Sequence, residues 1–262
     1  MLHSIKSYIR FLWNSKNQHG VHSPFVFDLV TKCFYDKHPK TEYRILKAYR
    51  NSLLQNHNVI EVSDFGAGSK VFQSDKRNIS KIAKTAGISL KRAELLFRIV
   101  AYFKPLYVLE IGTSLGLSTA ALSLGLLNAG VLEKMTTLEG CPQTAGIAKR
   151  SFEKFGLDNI DTVITEFGSY LKNSALHDKP QLIYFDGNHQ KEATLNYFEF
   201  LLPTISNESV WIFDDIHWSA EMESAWKIIK KHPKVTVTID TFQWGFVFFR
   251  KEQEEEHFVI RS

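Results

Sequence analysis

From residue 104 onward, short apolar runs alternate regularly with longer amphipathic stretches, and this alternation restricts the fold more than any other feature. Runs of this length, bounded by turn residues, are typical of buried strands, and the stretches between them have helical periodicity. The apolar runs are YVLEI (107–111), MTTLE (135–139), DTVIT (161–165), LIYFD (182–186) and VWIFD (210–214). Alternating strands and helices predict an α/β fold with a parallel sheet covered on both faces.

The end of the chain breaks the alternation. The segments KVTVTID (234–240) and WGFVFFR (244–250) are strand candidates, and the TFQ between them is too short for a crossover helix. We therefore expect them to pair antiparallel. The predicted sheet has seven strands, mostly parallel, with a terminal antiparallel hairpin. The charged segment EQEEEH (252–257) follows, and residues 253–262 are predicted to form a charged, solvated tail.

The first hundred residues have helical patterns instead of alternation. RILKAYRNSLLQN, ISKIAKTAG and LKRAELLFRIVAYF are helix candidates, and Ser89 stands at the N-cap position of the last one. We therefore divide the chain into a helical N-terminal extension (1–103), an α/β domain (104–252) and the tail. The extension is expected to form a lid and a substrate pocket.

The start of the chain, MLHSIKSYIRFLWNSK, has apolar residues at helical spacing with Lys6 and Arg10 between them. Docking of this helix on its own domain is the first interpretation. Contact with a membrane surface or a partner stays open as the alternative.

Composition excludes several function classes. The net charge of +4 is too small to indicate a nucleic-acid partner. Cys33 and Cys141 lie too far apart in sequence for a metal-binding spacing or a disulfide framework, which fits a protein of the reducing cytosol. No apolar stretch reaches the roughly 20 residues that a membrane-spanning helix needs. A small-molecule substrate is expected, and a homodimer is left open.

Two glycine-rich segments compete as the ligand-binding loop. NVIEVSDFGAGSK (58–70) is followed by charged residues without a helical stripe, whereas YVLEIGTSLGLSTAAL (107–122) joins a strand to a helix. In open α/β sheets, the binding loop follows a strand and opens a helix, so the second segment is favoured. The stretch Asp64 to Ser69 is interpreted as an ordered loop or as a loop that closes over the ligand.

The favoured loop reads Glu110-x-Gly112-x-x-x-Gly116, with Thr113 and Ser114 where a dinucleotide fingerprint requires a second glycine. This pattern resembles motif I of the class I S-adenosylmethionine-dependent methyltransferases. Residues 86–250 as a whole are similar to the catechol O-methyltransferase-like branch. The resemblance implies a Rossmann-like fold and S-adenosylmethionine as the cofactor.

The resemblance also implies which residues contact that cofactor. Glu139 ends the second strand, where an acidic side chain accepts hydrogen bonds from ribose hydroxyls. Ser169 stands where the family often has an acidic residue for the adenine amine, so this sequence departs from the pattern there. The candidate cofactor-binding residues are Ile88, Ser89, Glu110, Gly112, Thr113, Ser114, Gly116, Ser118, Glu139, Gly140, Cys141, Gly168, Ser169 and Asp186.

Three carboxylates follow the fourth and fifth strands, in the segments YFDGNHQ and IFDDIHW. Converging carboxylates repel one another unless a cation or protons offset them, and Mg²⁺ suits such ligands. Asp186, Asp214 and Asp215 match the metal positions of metal-dependent O-methyltransferases. For Asp214 and Asp215, helix capping and hydrogen bonds to loop amides stay open as alternatives.

Two histidines are candidates for the general base. His217 matches a histidine that acts as the base in related sugar-modifying methyltransferases, and His189 follows Asp186 closely. The candidate catalytic residues are therefore Asp186, His189 and His217.

The predicted function is an S-adenosylmethionine-dependent methyltransferase acting on oxygen of a small molecule, with Mg²⁺ assistance left open. A nicotinamide-dependent oxidoreductase and a non-catalytic nucleoside-binding protein that retains the fold are the alternatives.

Overall fold

The computed structural model describes residues 2–63, 74–173 and 179–261. The loop Asp64 to Ser69, for which the sequence left two interpretations, lies outside the described residues. In the described ranges the α-helices are α1 (Leu2–Asn14), α2 (Pro24–Leu29), α3 (Glu42–Leu54), α4 (Ile79–Thr85), α5 (Leu90–Phe103), α6 (Leu117–Asn128), α7 (Pro142–Lys154), α8 (Phe167–Asn173), α9 (Lys191–Leu201) and α10 (Ala220–Lys230).

The strands of the described ranges alternate with the later helices, as the sequence predicts. They are β1 (Val59–Glu61), β2 (Lys76–Asn78), β3 (Val108–Ile111), β4 (Met135–Glu139), β5 (Ile160–Ile164), β6 (Leu182–Phe185), β7 (Val210–Asp214), β8 (Val237–Asp240), β9 (Trp244–Phe248) and β10 (Glu256–Val259). The predicted α/β class, with mostly parallel strands, a terminal antiparallel hairpin and a helical N-terminus, is confirmed.

The chain divides into two compact units. One unit comprises Lys37–Tyr170, and the other comprises Met1–Asp36 together with Leu171–Ser262. We call them the central unit and the terminal unit. The predicted helical extension is thus shared between the two units.

In the central unit, β3, β4 and β5 pair in parallel and in that order. Helix α6 is buried from Leu117 to Leu126, because its side chains are apolar or small all around. Gly125 permits close packing of α5 on α6, since a Cβ atom there would lie 2.7 Å from Cβ of Val100. β1 and β2 form a separate antiparallel pair that the sequence analysis does not predict.

In the terminal unit, the strand order is β10-β8-β9-β7-β6. β6 and β7 are parallel, and β9 runs antiparallel to both β7 and β8. The prediction of seven strands misses β10, which pairs in parallel with β8. The last residues are therefore not simply a solvated tail, and Ile260 is fully buried.

Candidate functional site

The loop after β3 has the backbone geometry that its glycines allow. Gly112 (φ 106°) and Gly116 (φ 82°) are in the positive-φ region, and so is Ser114 (φ 49°). Gly116 is the N-cap of α6. A Cβ atom at Gly116 would lie 2.5 Å from the Phe152 ring and 2.6 Å from the Tyr49 hydroxyl, so both conformation and space require glycine.

Glu139, at the end of β4, joins this loop to the loop after β4. One carboxylate oxygen accepts the backbone N–H of Ser114 at 2.7 Å, and the other accepts the backbone N–H of Cys141 at 2.9 Å. The backbone N–H groups of Gly112 and Thr113 both donate to the carbonyl of Leu138 at 3.0 Å. Glu139 is only partly buried, so the carboxylate that orders the loops also has an accessible surface.

Glu110 has a different position from the one expected of a ligand contact. Its side chain is fully buried, and one carboxylate oxygen accepts the Thr137 hydroxyl at 2.6 Å and also the Thr119 hydroxyl. Burial raises the pKa of Glu110 to about 7. Hydrogen bonds from the hydroxyls of Ser118, Thr119 and Thr137 lower the pKa, but they only partly offset the effect of burial. With no exposed surface, Glu110 supports β3, β4 and α6 from within the central unit.

The remaining predicted contacts of the central unit lie at the starts of helices. Ile88 is buried, and Ser89 is the N-cap of α5, where its side-chain oxygen accepts the backbone N–H of Arg92 at 3.3 Å. Ser118 is buried in the first turn of α6. Gly140 is partly buried. Cys141 is a buried free cysteine whose sulfur accepts the backbone N–H of Ser63 at 3.4 Å.

Sequence reasoning missed Glu166, which precedes α8. Its two carboxylate oxygens accept the backbone N–H groups of Gly168 at 2.8 Å and Ser169 at 2.6 Å. Slight burial raises the pKa of Glu166, but the hydrogen bonds from Ser169 and Gly168 outweigh it and hold the pKa below its usual value. The sequence feature that could have identified Glu166 is an acidic residue just before a helix start. Such a residue can accept hydrogen bonds from the first N–H groups of the helix, which have no partner within it.

In the terminal unit, Asp186 and His189 lie in the loop after β6. Nε2 of His189 is 3.8 Å from a carboxylate oxygen of Asp186, and both side chains are partly exposed. The His189 ring lies 6.0 Å from the Trp218 ring, which belongs to the loop after β7. Asn188 (φ 52°) and Asp215 (φ 53°) each adopt a strained backbone conformation in these two loops.

The structure does not bring the predicted metal ligands together. Asp214 is buried, and its carboxylate accepts the Tyr184 hydroxyl at 3.3 Å and the backbone N–H of Asp215 at 2.8 Å. Within the described residues, no group of three or more His, Cys, Asp or Glu side chains is arranged to hold a metal ion. Asp186, Asp214 and Asp215 do not form such a group, so their role as Mg²⁺ ligands stays a prediction, and Asp214 is observed as an acceptor for a loop amide.

His217 lies between two carboxylates and not toward an open surface. Its Nε2 is 2.8 Å from Asp240, its Nδ1 is 3.7 Å from Glu223, and its ring stacks on Phe242 at 5.3 Å. Burial raises the pKa of Glu223, but Lys227, Ser7 and His217 outweigh it and lower the pKa to about 2. Both ring nitrogens of His217 face carboxylates, and its role as the base stays a prediction.

Residues 109–216 match the family model described as a methyltransferase domain. They include motif I, Glu139, Asp186 and His189. None of the curated proteins compared with the chain matches it.

Solved structures of methyltransferases share the fold. A methyltransferase from Podospora anserina, described as SAH-bound, has a TM-score of 0.60 and 15% identity, covering 88% of this chain and 98% of its own. An O-methyltransferase from Bacillus cereus in complex with SAH has a TM-score of 0.53 and 19% identity, covering 83% and 93%. TomG, an O-methyltransferase of tomaymycin synthesis from Streptomyces achromogenes in complex with SAM, has a TM-score of 0.53 and 14% identity. The match covers 86% of this chain and 96% of TomG.

The resemblance predicted from motif I is thus confirmed: residues 109–216 match the model of a methyltransferase domain, and the chain has the fold of solved methyltransferases. None of the helices in the described ranges combines the length and the apolar character needed to cross a bilayer.

Proposed function

We propose that this chain is an S-adenosylmethionine-dependent methyltransferase that methylates an oxygen atom of a small molecule. The observation that carries the proposal is the position of Glu139. Its carboxylate orders the glycine loop after β3 and the loop after β4 through Ser114 and Cys141, and it keeps an accessible surface. Solved proteins of the same fold are described as bound to SAH or SAM, which supports the choice of cofactor.

The residues of the central unit fit a nucleoside cofactor. The carboxylate of Glu139 is suited to accept hydrogen bonds from two ribose hydroxyls. Such hydrogen bonds are strong because the acceptor is charged. Gly112 and Gly116 permit the positive φ angles of the loop that leads into α6. The exposed start of α8, with Ser169, is assigned to the adenine, and Glu110 is assigned to support of the loop.

S-adenosylmethionine supplies a methyl group from a sulfonium, so methyl transfer forms an oxygen–carbon bond as the sulfur–carbon bond breaks and its electron pair stays on sulfur. The acceptor hydroxyl must then lose its proton. We assign that proton to Nε2 of His189, which Asp186 stabilises as a cation from 3.8 Å. Trp218 beside His189 offers an apolar ring to an acceptor.

No metal takes part in this proposal. This choice is supported by the hydrogen bonds that the Asp214 carboxylate accepts from Tyr184 and from the amide of Asp215, and by the lack of a group of three or more His, Cys, Asp or Glu side chains suited to a metal among the described residues. Activity is therefore expected to persist in EDTA.

The test is methyl transfer from labelled S-adenosylmethionine to a panel of small hydroxylated compounds. With an accepted compound, His189→Gln should lower kcat by about 100-fold or more, the scale of general-base catalysis, while His217→Gln should keep kcat within about threefold. If folded His217→Gln loses kcat and His189→Gln keeps it, the general base would be His217 and not His189. Transfer to none of the compounds, despite SAH binding, would favour a non-catalytic protein.

A further inference from the structure

Helix α1 carries a continuous row of apolar side chains on its outer side. Ile5, Ile9 and Trp13 are spaced four residues apart, so they lie in a line along the helix. Their exposed fractions are 53%, 55% and 88%. Tyr8 and Leu12 are also exposed and lie beside this line. We call these five side chains the outer face of α1.

The opposite side of α1 is already fixed to the terminal unit. The Ser7 hydroxyl donates to buried Glu223 at 2.8 Å, and the buried Phe11 ring lies 5.5 Å from the Phe242 ring. The backbone N–H of Lys16, just past the helix, donates to the carbonyl of Val259 in β10 at 2.8 Å. The outer face is therefore presented by a docked helix and is not the packing face of a helix that has come loose.

Basic side chains border the outer face, and α1 itself contains no acidic residue. Lys6 follows the apolar line around the helix, and Lys16 stands beyond its end. Arg10 lies next to Lys6 on the helix, with its guanidinium 3.3 Å from Glu223. The guanidinium of Arg261 donates to the carbonyl of Leu12 at 3.3 Å, which brings a further cation to the same end. An apolar face with cations at its border and an aromatic residue at its end is typical of helices that lie in a membrane interface.

A second copy of the chain suits this face less well. A helix of 13 residues is about 20 Å long, so its outer face buries well under the roughly 800 Å² per partner of a stable protein interface. Two such faces would also bring the Lys6 side chains of both copies together, and α1 has no acidic side chain to oppose them. A negatively charged lipid surface satisfies both the apolar residues and the cations.

We propose that the outer face of α1 docks this protein on the surface of an anionic phospholipid bilayer. The helix lies in the interface with Ile5, Ile9 and Trp13 toward the acyl chains and with its cations at the phosphate level. This inference concerns attachment of the protein and does not depend on the proposed activity.

The test is co-sedimentation of the whole protein with vesicles. Wild type should bind vesicles of phosphatidylcholine with about 30 mol% phosphatidylglycerol, and should bind pure phosphatidylcholine vesicles at least about tenfold more weakly. Binding should weaken at about 1 M salt, where the Debye length is about 3 Å. Tryptophan emission should shift to shorter wavelength on binding, and Trp13→Phe should abolish the shift.

The matched variants are Ile9→Asp on the outer face and Ile228→Asp on α10, where Ile228 is 46% exposed. Ile9→Asp should lower binding to anionic vesicles by about tenfold or more. It removes an apolar side chain that the bilayer would bury, and it adds a negative charge that the anionic lipids repel. Ile228→Asp should bind like wild type. Trp13→Ser repeats the test at a position so exposed that folding does not depend on it, and circular dichroism verifies the fold of each variant.

Three results would overturn the proposal. The first is that wild type fails to sediment with anionic vesicles. The second is that folded Ile9→Asp and Trp13→Ser bind as strongly as Ile228→Asp. The third is a dimer in light scattering that Ile9→Asp dissociates and that does not bind vesicles, which would assign the outer face to a second copy.

Discussion

The carboxylate of Glu139 accepts the backbone N–H of Ser114 from a position 25 residues further along the chain, at 2.7 Å. Since Ser114 has a positive φ of 49°, this hydrogen bond helps to hold a backbone conformation that a serine rarely adopts. Glu139, which we propose to bind the cofactor, thus also shapes the glycine loop after β3. Substitution of Glu139 should affect the loop and ligand binding together.

Glu139→Ala is predicted to weaken SAH binding by about tenfold or more, because it removes charge-assisted hydrogen bonds and leaves the Ser114 and Cys141 amides without their acceptor. Titration calorimetry measures the effect. Glu133→Ala, in the exposed loop before β4, is the matched control and should bind like wild type. Equal affinities of the two variants would remove Glu139 from the site.

Glu110→Gln is predicted to flatten the pH dependence of stability. The pKa of Glu110 is about 7 in the folded state and 4.5 in the unfolded state, so folding favours the protonated form. Its contribution is present below pH 4.5 and is lost as the pH rises through about 7, by about 3 kcal/mol. Urea unfolding of wild type and variant, at about pH 5 and about pH 8, measures it. A wild-type minus variant difference that stays constant with pH would contradict the buried carboxyl.

Gly116→Ala is predicted to cost about 2–4 kcal/mol of unfolding free energy. The alanine must adopt φ 82° and its Cβ would overlap the Phe152 ring, so strain and overpacking add. Gly130→Ala shares the positive φ (75°) but meets nothing within 4 Å, so it should cost only about 1 kcal/mol. If chemical denaturation gave equal costs, contact with Phe152 and Tyr49 would not be what requires glycine at 116.

Glu223→Gln is predicted to make the protein less sensitive to acid while lowering its stability near neutral pH. The pKa of Glu223 is lowered to about 2, so its contribution is present above pH 4.5 and is lost as the pH falls through about 2. The Tm of wild type should therefore fall more steeply over this range than that of Glu223→Gln. Glu221→Gln, an exposed neighbour on the same helix, should behave like wild type; a similar flattening there would point to a general charge effect.

Local signals in the sequence predict the elements that carry the site. The amphipathic stretches between the apolar runs correspond to α6 to α10, whose N-caps or first residues are Gly116, Pro142, Phe167, Gln190 and Ser219. Apolar runs and capping residues determine these elements within a few residues of sequence. The prediction misses β10, because Glu256–Val259 follows a run of acidic residues and only its pairing with β8 makes it a strand.

The role of His217 could not be predicted from the sequence. Its main partner, Asp240, is 23 residues away, at the end of a different strand. Position after an acidic pair indicated a base, but the pairing of β7, β9 and β8 decides which carboxylates surround the ring. Likewise, the run Asp214-Asp215 indicated a metal site, whereas hydrogen bonds to Tyr184 and to a backbone amide occupy Asp214.

The most direct measurement of the central claim is calorimetric titration of the wild-type protein with SAH and with NADH, each in the presence of EDTA. If Glu139 holds a nucleoside cofactor without a metal, we expect saturable binding of one SAH molecule per chain. Added Mg²⁺ should not change this binding, and NADH should give no heat of binding. Binding of NADH without binding of SAH would contradict the account and restore the oxidoreductase alternative.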